Sequence, residues 1–175
     1  MKPWVTWSLT TVAIASLACA DGSHPMAKGD ATIMVYGKGK GELVDPMGRR
    51  DGWRLGRQVA EIPNCERSRW TDPDTDEPDS ISDGRTPEAD EFDLSNPLAG
   101  WYRIELTPDS GGWSQVVVSA TSESGKVTRA TSLEMVRLGR RYVWRLKVGS
   151  IRDSLTLELS SHPSIQPRKT QNSKR

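Results

Sequence analysis

The sequence predicts an all-β fold, an antiparallel β-sandwich of the immunoglobulin-like or jelly-roll-like kind. Three observations carry that prediction. Apolar side chains recur at every second position in Tyr102-Ile104-Leu106, in Tyr142-Trp144-Leu146-Val148 and in Leu155-Leu157-Leu159. That period marks strands with one buried face. Clusters of Gly, Pro, Asn, Asp and Ser separate the runs and suit tight turns. Consecutive strands joined by short turns pair antiparallel, and a second layer is the natural cover for their apolar face.

The chain has 175 residues, of which 35% are hydrophobic, so it holds a single domain with a small core and appendages. Residues 1–20 read as an export signal: Lys2 supplies the positive start, Val5 to Leu17 is uncharged, and Ala18-Cys19-Ala20 has the small-x-small pattern of a cleavage site. The run is too short and too rich in Thr and Ser for a membrane span. Ser16-Leu17-Ala18-Cys19 also resembles a bacterial lipobox, with Ser16 where leucine is usual. Two products follow from these readings: an exported protein beginning at Asp21, periplasmic or extracellular, or a lipoprotein held on a membrane by acylated Cys19. The first is preferred. In either, Cys65 has no cysteine partner for a disulfide within the folded chain and reads as a half-buried small hydrophobe.

Residues 21–30 are small and polar and read as a flexible lead-in, ahead of a single sandwich domain over residues 31–160. Ala31 to Tyr36 is the first strand, with Ile33 and Val35 as packing residues. Gly37-Lys38-Gly39-Lys40-Gly41 ends it as a turn, since it lacks the terminal Gly-Lys-Ser/Thr of a phosphate loop. Asp45 to Trp53 reads as successive turns in which Asp45, Arg49, Arg50 and Asp51 bridge one another. The paired Arg49 and Arg50 could make an anion site, but solvated ion pairs are the preferred reading. Val59 to Cys65 is a short extended segment closed by Pro63.

Residues 70–93 form a long acidic, proline-interrupted loop in this reading. Within it Asp72, Asp74 and Asp76, with Asp83 in the twelfth place, have the carboxylate spacing of a calcium loop. Glu77 stands where that loop needs glycine, Pro78 follows, and Asp83 is shorter than the usual Glu. A solvated acidic loop is therefore preferred, with a looser calcium site as the alternative. Asn96-Pro97-Leu98-Ala99-Gly100 makes a corner, and Trp101-Arg103-Glu105 face away from the buried side of the next strand. Trp113 to Thr121 is a further strand, Lys126 to Leu138 one broken midway, and Arg141 to Val148 one whose Arg141, Arg145 and Lys147 point to water. Residues 161–175 read as a disordered basic tail.

The Asn96-Pro97 corner and the strand Gly100-Trp101-Tyr102-Arg103-Ile104-Glu105-Leu106 resemble small β-sandwich modules of exported bacterial proteins, of the pre-peptidase C-terminal kind. The resemblance covers Phe92 to Ser160 and implies a non-catalytic accessory role. No peptidase domain stands ahead of the sandwich in this chain, a departure from that pattern. Formal net charge is +1, which provides no global attraction to nucleic acid, so none is expected as a partner. The expectation is a binding or structural role toward a protein or glycan at the cell envelope, with calcium as the one cofactor in view. The alternative is a carbohydrate-binding module using exposed tryptophans among Trp53, Trp70, Trp101, Trp113 and Trp144; Arg49, Arg50, Trp53 and Trp70 are the candidate binding residues. A small secreted hydrolase comes last, because carboxylates in a proline-rich loop lack rigid support.

Overall fold

The computed structural model describes residues 24–54, 57–71, 88–151 and 154–167. They form twelve strands and no helix: β1 (Gly29–Tyr36), β2 (Gly39–Val44), β3 (Arg50–Arg54), β4 (Arg57–Ala60), β5 (Cys65–Thr71), β6 (Glu88–Ser95), β7 (Gly100–Pro108), β8 (Gly112–Ser122), β9 (Val127–Val136), β10 (Arg140–Ile151), β11 (Ser154–Leu159) and β12 (Ser164–Pro167). Two antiparallel sheets result. The first has the order β5-β6-β1-β8-β9; the second has β11-β10-β7-β2-β3-β4, with β12 also paired to β10. The all-β sandwich is the predicted class.

The core lies between the sheets, where the period-two rows meet. Ile33, Val35, Phe92, Val116 and Val118 come from the first sheet; Leu43, Tyr102, Ile104, Leu106, Tyr142, Trp144 and Leu146 come from the second. Each large side chain so buried contributes roughly 1.5–3 kcal/mol over leaving it in water. Trp144 has no exposed surface, and its indole N–H donates to Ser132 Oγ at 2.9 Å. Ser132 Oγ in turn donates to the Ser161 carbonyl at 2.8 Å. A buried polar tip is thereby satisfied, and β9 is tied to β10 across the layers.

Several boundaries differ from the sequence reading, each for a physical reason. The glycine run turns only at its start: β2 begins at Gly39 and passes into the other sheet, where Gly39 pairs with Pro108. Leu43 and Val44, followed by the turn from Asp45, carry the chain into β3 rather than into a long loop. The acidic stretch is strand from Glu88 onward, because Ala89, Phe92 and Leu94 bury while Asp90 finds partners inside. β9 runs unbroken, paired with β8 from Thr121↔Val127 to Gly112↔Val136. The lead-in is pinned: Ala27 N–H donates to the Pro97 carbonyl at 2.7 Å and Ala27 is buried. The stretch read as a basic tail supplies β12, whose Ser164 to Pro167 align with Val143 to Arg140. Consecutive strands also part company, since β7 joins the second sheet while β8 and β9 join the first.

Candidate anion-binding face

The buried row Tyr102-Ile104-Leu106 in β7 leaves Trp101, Arg103 and Glu105 on the opposite, outer face of the second sheet. In β10 the row Tyr142-Trp144-Leu146-Val148 likewise leaves Arg141, Val143, Arg145 and Lys147 outside. Register then decides which of these become neighbours. One cross-strand line runs Arg50, Val44, Arg103, Arg145 over β3, β2, β7 and β10. The next runs Gly52, Glu42, Glu105, Val143, and a third places Trp101 beside Lys147 and Glu158.

Two like-charge oppositions follow, Glu42 against Glu105 and Arg103 against Arg145, and each destabilises a sheet unless compensated. Arg50 compensates the first: its guanidinium lies 2.6 Å from Glu42 Oε1 and 3.6 Å from Glu105 Oε2. Arg141 also ion-pairs with Glu105, and Arg103 Nε stands 3.7 Å from Glu105 Oε1. Glu42 and Glu105 are consequently buried although they lie on an outer face. Long arginine stems cover them. Burial pulls Arg141 below the ordinary guanidinium value; Glu42 opposes that shift, while Arg50, Arg103 and Arg54 add to it by like-charge repulsion. So Arg50, Arg54, Arg103 and Arg141 crowd two carboxylates, and positive charge is in excess.

Across the face, the second opposition is relieved by an indole. Arg145 sits 4.9 Å from the Trp101 ring centroid and Lys147 5.7 Å from it. The quadrupole of the ring holds both cations, worth about 0.5–1 kcal/mol for each at exposed sites. Trp101, Arg103, Arg145 and Lys147 all stay exposed. The result is a basic ledge whose charged tips are held in place yet face water.

A separate polar nest is sealed between the layers. Arg67 Nη2 donates to Asp90 Oδ1 at 2.6 Å, and Asp90 Oδ2 accepts from Gly41 N–H at 2.7 Å. Asp51, 2% exposed, is hydrogen-bonded to Cys65, while Asp51 Oδ2, Arg67 Nε and Trp53 Nε1 have no protein partner. Burial, then Asp51, pushes the Cys65 thiol well above its ordinary value, so it stays protonated and is a poor nucleophile.

The predicted binding residues divide. Arg49 bonds back to Asp45 at 2.7 Å and staples the turn, with Asp45 Oδ1 also accepting from the Met47 and Arg49 N–H groups. Neither Arg50 nor Asp51 joins that turn; Arg50 belongs to the basic face and Asp51 to the nest. Trp53 is half-buried with Lys40 at 4.9 Å and Arg67 at 5.4 Å from its ring. Trp70 lies in β5, and its side chain falls outside the described residues, as do Asp72, Asp74, Asp76, Asp83 and Cys19. Among the described residues, no group of three or more His, Cys, Asp or Glu side chains is placed to hold a metal ion. Sequence reasoning missed Arg54, Arg103, Arg141, Arg145, Lys147 and Trp101 as one surface. Alternation put most of them on solvent faces, but only register shows that β3, β2, β7 and β10 lie side by side. Comparison of the chain with models of known families, with curated proteins and with solved structures returned no match.

Proposed function

We propose that this protein is a non-catalytic binding module, exported to the cell envelope or beyond, that holds an anionic ligand on the outer face of its second sheet. One observation carries the reading: Arg145 and Lys147 are stacked on exposed Trp101 beside a cluster in which arginines outnumber their carboxylate partners. Cations fixed before binding lose little side-chain entropy when the ligand arrives. The carboxylates Glu42, Glu105, Asp45 and Asp90 are engaged by arginines, which favours binding over acid–base chemistry. The export signal and the resemblance to exported sandwich modules support the location. Calcium, if bound, belongs to Asp72, Asp74, Asp76 and Asp83, away from this face in sequence.

The test is a tryptophan-fluorescence titration with dextran sulfate and with neutral dextran. Dextran sulfate is expected to bind, and to weaken steeply as salt rises from about 50 to about 200 mM, because binding releases counterions. Neutral dextran is expected to have no effect. The double substitution Arg145→Gln/Lys147→Gln is expected to weaken binding about 10-fold or more, as loss of two charge-assisted contacts of roughly 1–2 kcal/mol would. Unchanged affinity in that variant would remove this face from consideration.

A further inference from the structure

We infer that the ligand of this face is a linear acidic polysaccharide, an inference that rests on the anion-binding reading above. The cations form lines. Along β10, Arg141, Arg145 and Lys147 share one face over about 20 Å at the usual rise per residue. Across the strands, Arg50, Arg103 and Arg145 share one line over roughly 14 Å at the usual strand spacing. A small anion uses one such point; an extended polyanion uses the whole ledge. Arginine's planar fork matches carboxylate and sulfate oxygens two at a time.

The hydrogen-bonding character of the surface narrows the class further. Its exposed groups are mainly guanidinium and ammonium donors, which have no acceptor capacity, and its exposed carboxylates, Glu158 beside Lys147 and Glu61 beside Arg50, stand at its two edges. Its carboxylates Glu42 and Glu105 are buried under arginines. A peptide brings an N–H donor at nearly every residue, and those donors would meet few acceptors here. An acidic glycan brings ring, glycosidic and carboxylate oxygens that only accept, and hydroxyls whose oxygens accept from a guanidinium while their own O–H turns to water, which an amide N–H cannot do. Nucleic acid is also rich in acceptors, but single strands gain affinity by stacking bases on open aromatic rings. On this face the Trp101 ring already carries Arg145 and Lys147. A bilayer surface calls for apolar side chains that can insert. The exposed Trp113, Leu133 and Met135 lie on β8 and β9, in the other sheet.

The experiment compares four polyanions on the full chain at matched charge concentration and salt: polygalacturonate, poly-L-glutamate, single-stranded DNA and phosphatidylglycerol vesicles. Polygalacturonate is expected to bind at least about 10-fold more tightly than the other three. Arg145→Lys is expected to weaken polygalacturonate binding while keeping the charge, because the fork is lost. Circular dichroism of that variant verifies the sheet content. Equal affinity for poly-L-glutamate, DNA or vesicles overturns the polysaccharide assignment and leaves an anion-binding face. Binding of none of the four overturns both readings together.

Discussion

Asp51 illustrates how a residue that reads as a loop charge becomes an internal group. It is 2% exposed, and burial pushes its carboxyl above the ordinary value, against the opposing bond to Cys65 and the charge of Arg67. Between the ordinary and the raised value the folded state binds more protons than the unfolded one. Its contribution to stability is therefore full at acid pH and lost as pH rises through the raised value. Asp51→Asn removes this titration. Urea unfolding from about pH 3 to 8 is expected to show the variant gaining on the parent across the acid window, then holding a constant difference. A constant difference throughout would mean that Asp51 titrates alike in both states. Cys65, read from sequence as a half-buried apolar residue, is partly buried and packs against the core, and its hydrogen bond to Asp51 was the part no local pattern could announce.

At the scale of the element, β3 is the strand the sequence concealed. Arg50 to Arg54 holds one apolar side chain, Trp53, between four charged or glycine positions, and so has no alternation to detect. It is a strand because its neighbours β2 and β4 supply the ladder and because Gly52 lets it approach closely. Gly52 has φ +120°, and a Cβ there would lie 2.4 Å from the Gly41 carbonyl oxygen. Gly52→Ala is expected to destabilise the fold by about 1–3 kcal/mol, the range for a strained backbone position. Gly48→Ala is the control, since Gly48 also has positive φ at +83° but nothing lies within 4 Å of its Cβ position. Thermal melts of the two should separate them, with Gly48→Ala the milder; equal losses would show that crowding at Gly52 is relieved elsewhere. The strands β7, β8, β10 and β11 were legible because each carries apolar residues at every second position, buried in the first three and buried or half-buried in β11. β6 was half-legible: Phe92 and Leu94 alternate with Asp93 and Ser95, whereas the acidic run ahead of them conceals Ala89.

For the whole molecule, charge is near balance in sum and uneven along the chain. The net charge of +1 hides a basic face on the second sheet and the acidic run around Asp72 to Asp83. Global charge gave no attraction to nucleic acid; the local surface argues for an anionic ligand, since a ligand senses charge within about a Debye length of roughly 8–10 Å. Two further expectations belong here. Intact mass of the protein recovered after export should correspond to a chain starting at Asp21, and an acylated mass starting at Cys19 would reverse that choice. Melting with calcium against chelator should rise by a few degrees if the Asp72, Asp74, Asp76 and Asp83 carboxylates hold an ion, as ligand linkage requires. An unchanged Tm at millimolar calcium would dismiss the site.

From sequence alone came the all-β class, the buried rows, most of the turns, and the expectation of export. These are local properties: alternation, turn chemistry and signal patterns are written over a few consecutive residues. The tertiary structure decided which strands share a sheet, and with that the basic face. Arg50, Arg103 and Arg145 are far apart in the chain and meet only through the β3-β2-β7-β10 register. Pairing between distant strands depends on how two whole apolar faces close over one core, and no short stretch of the chain encodes it.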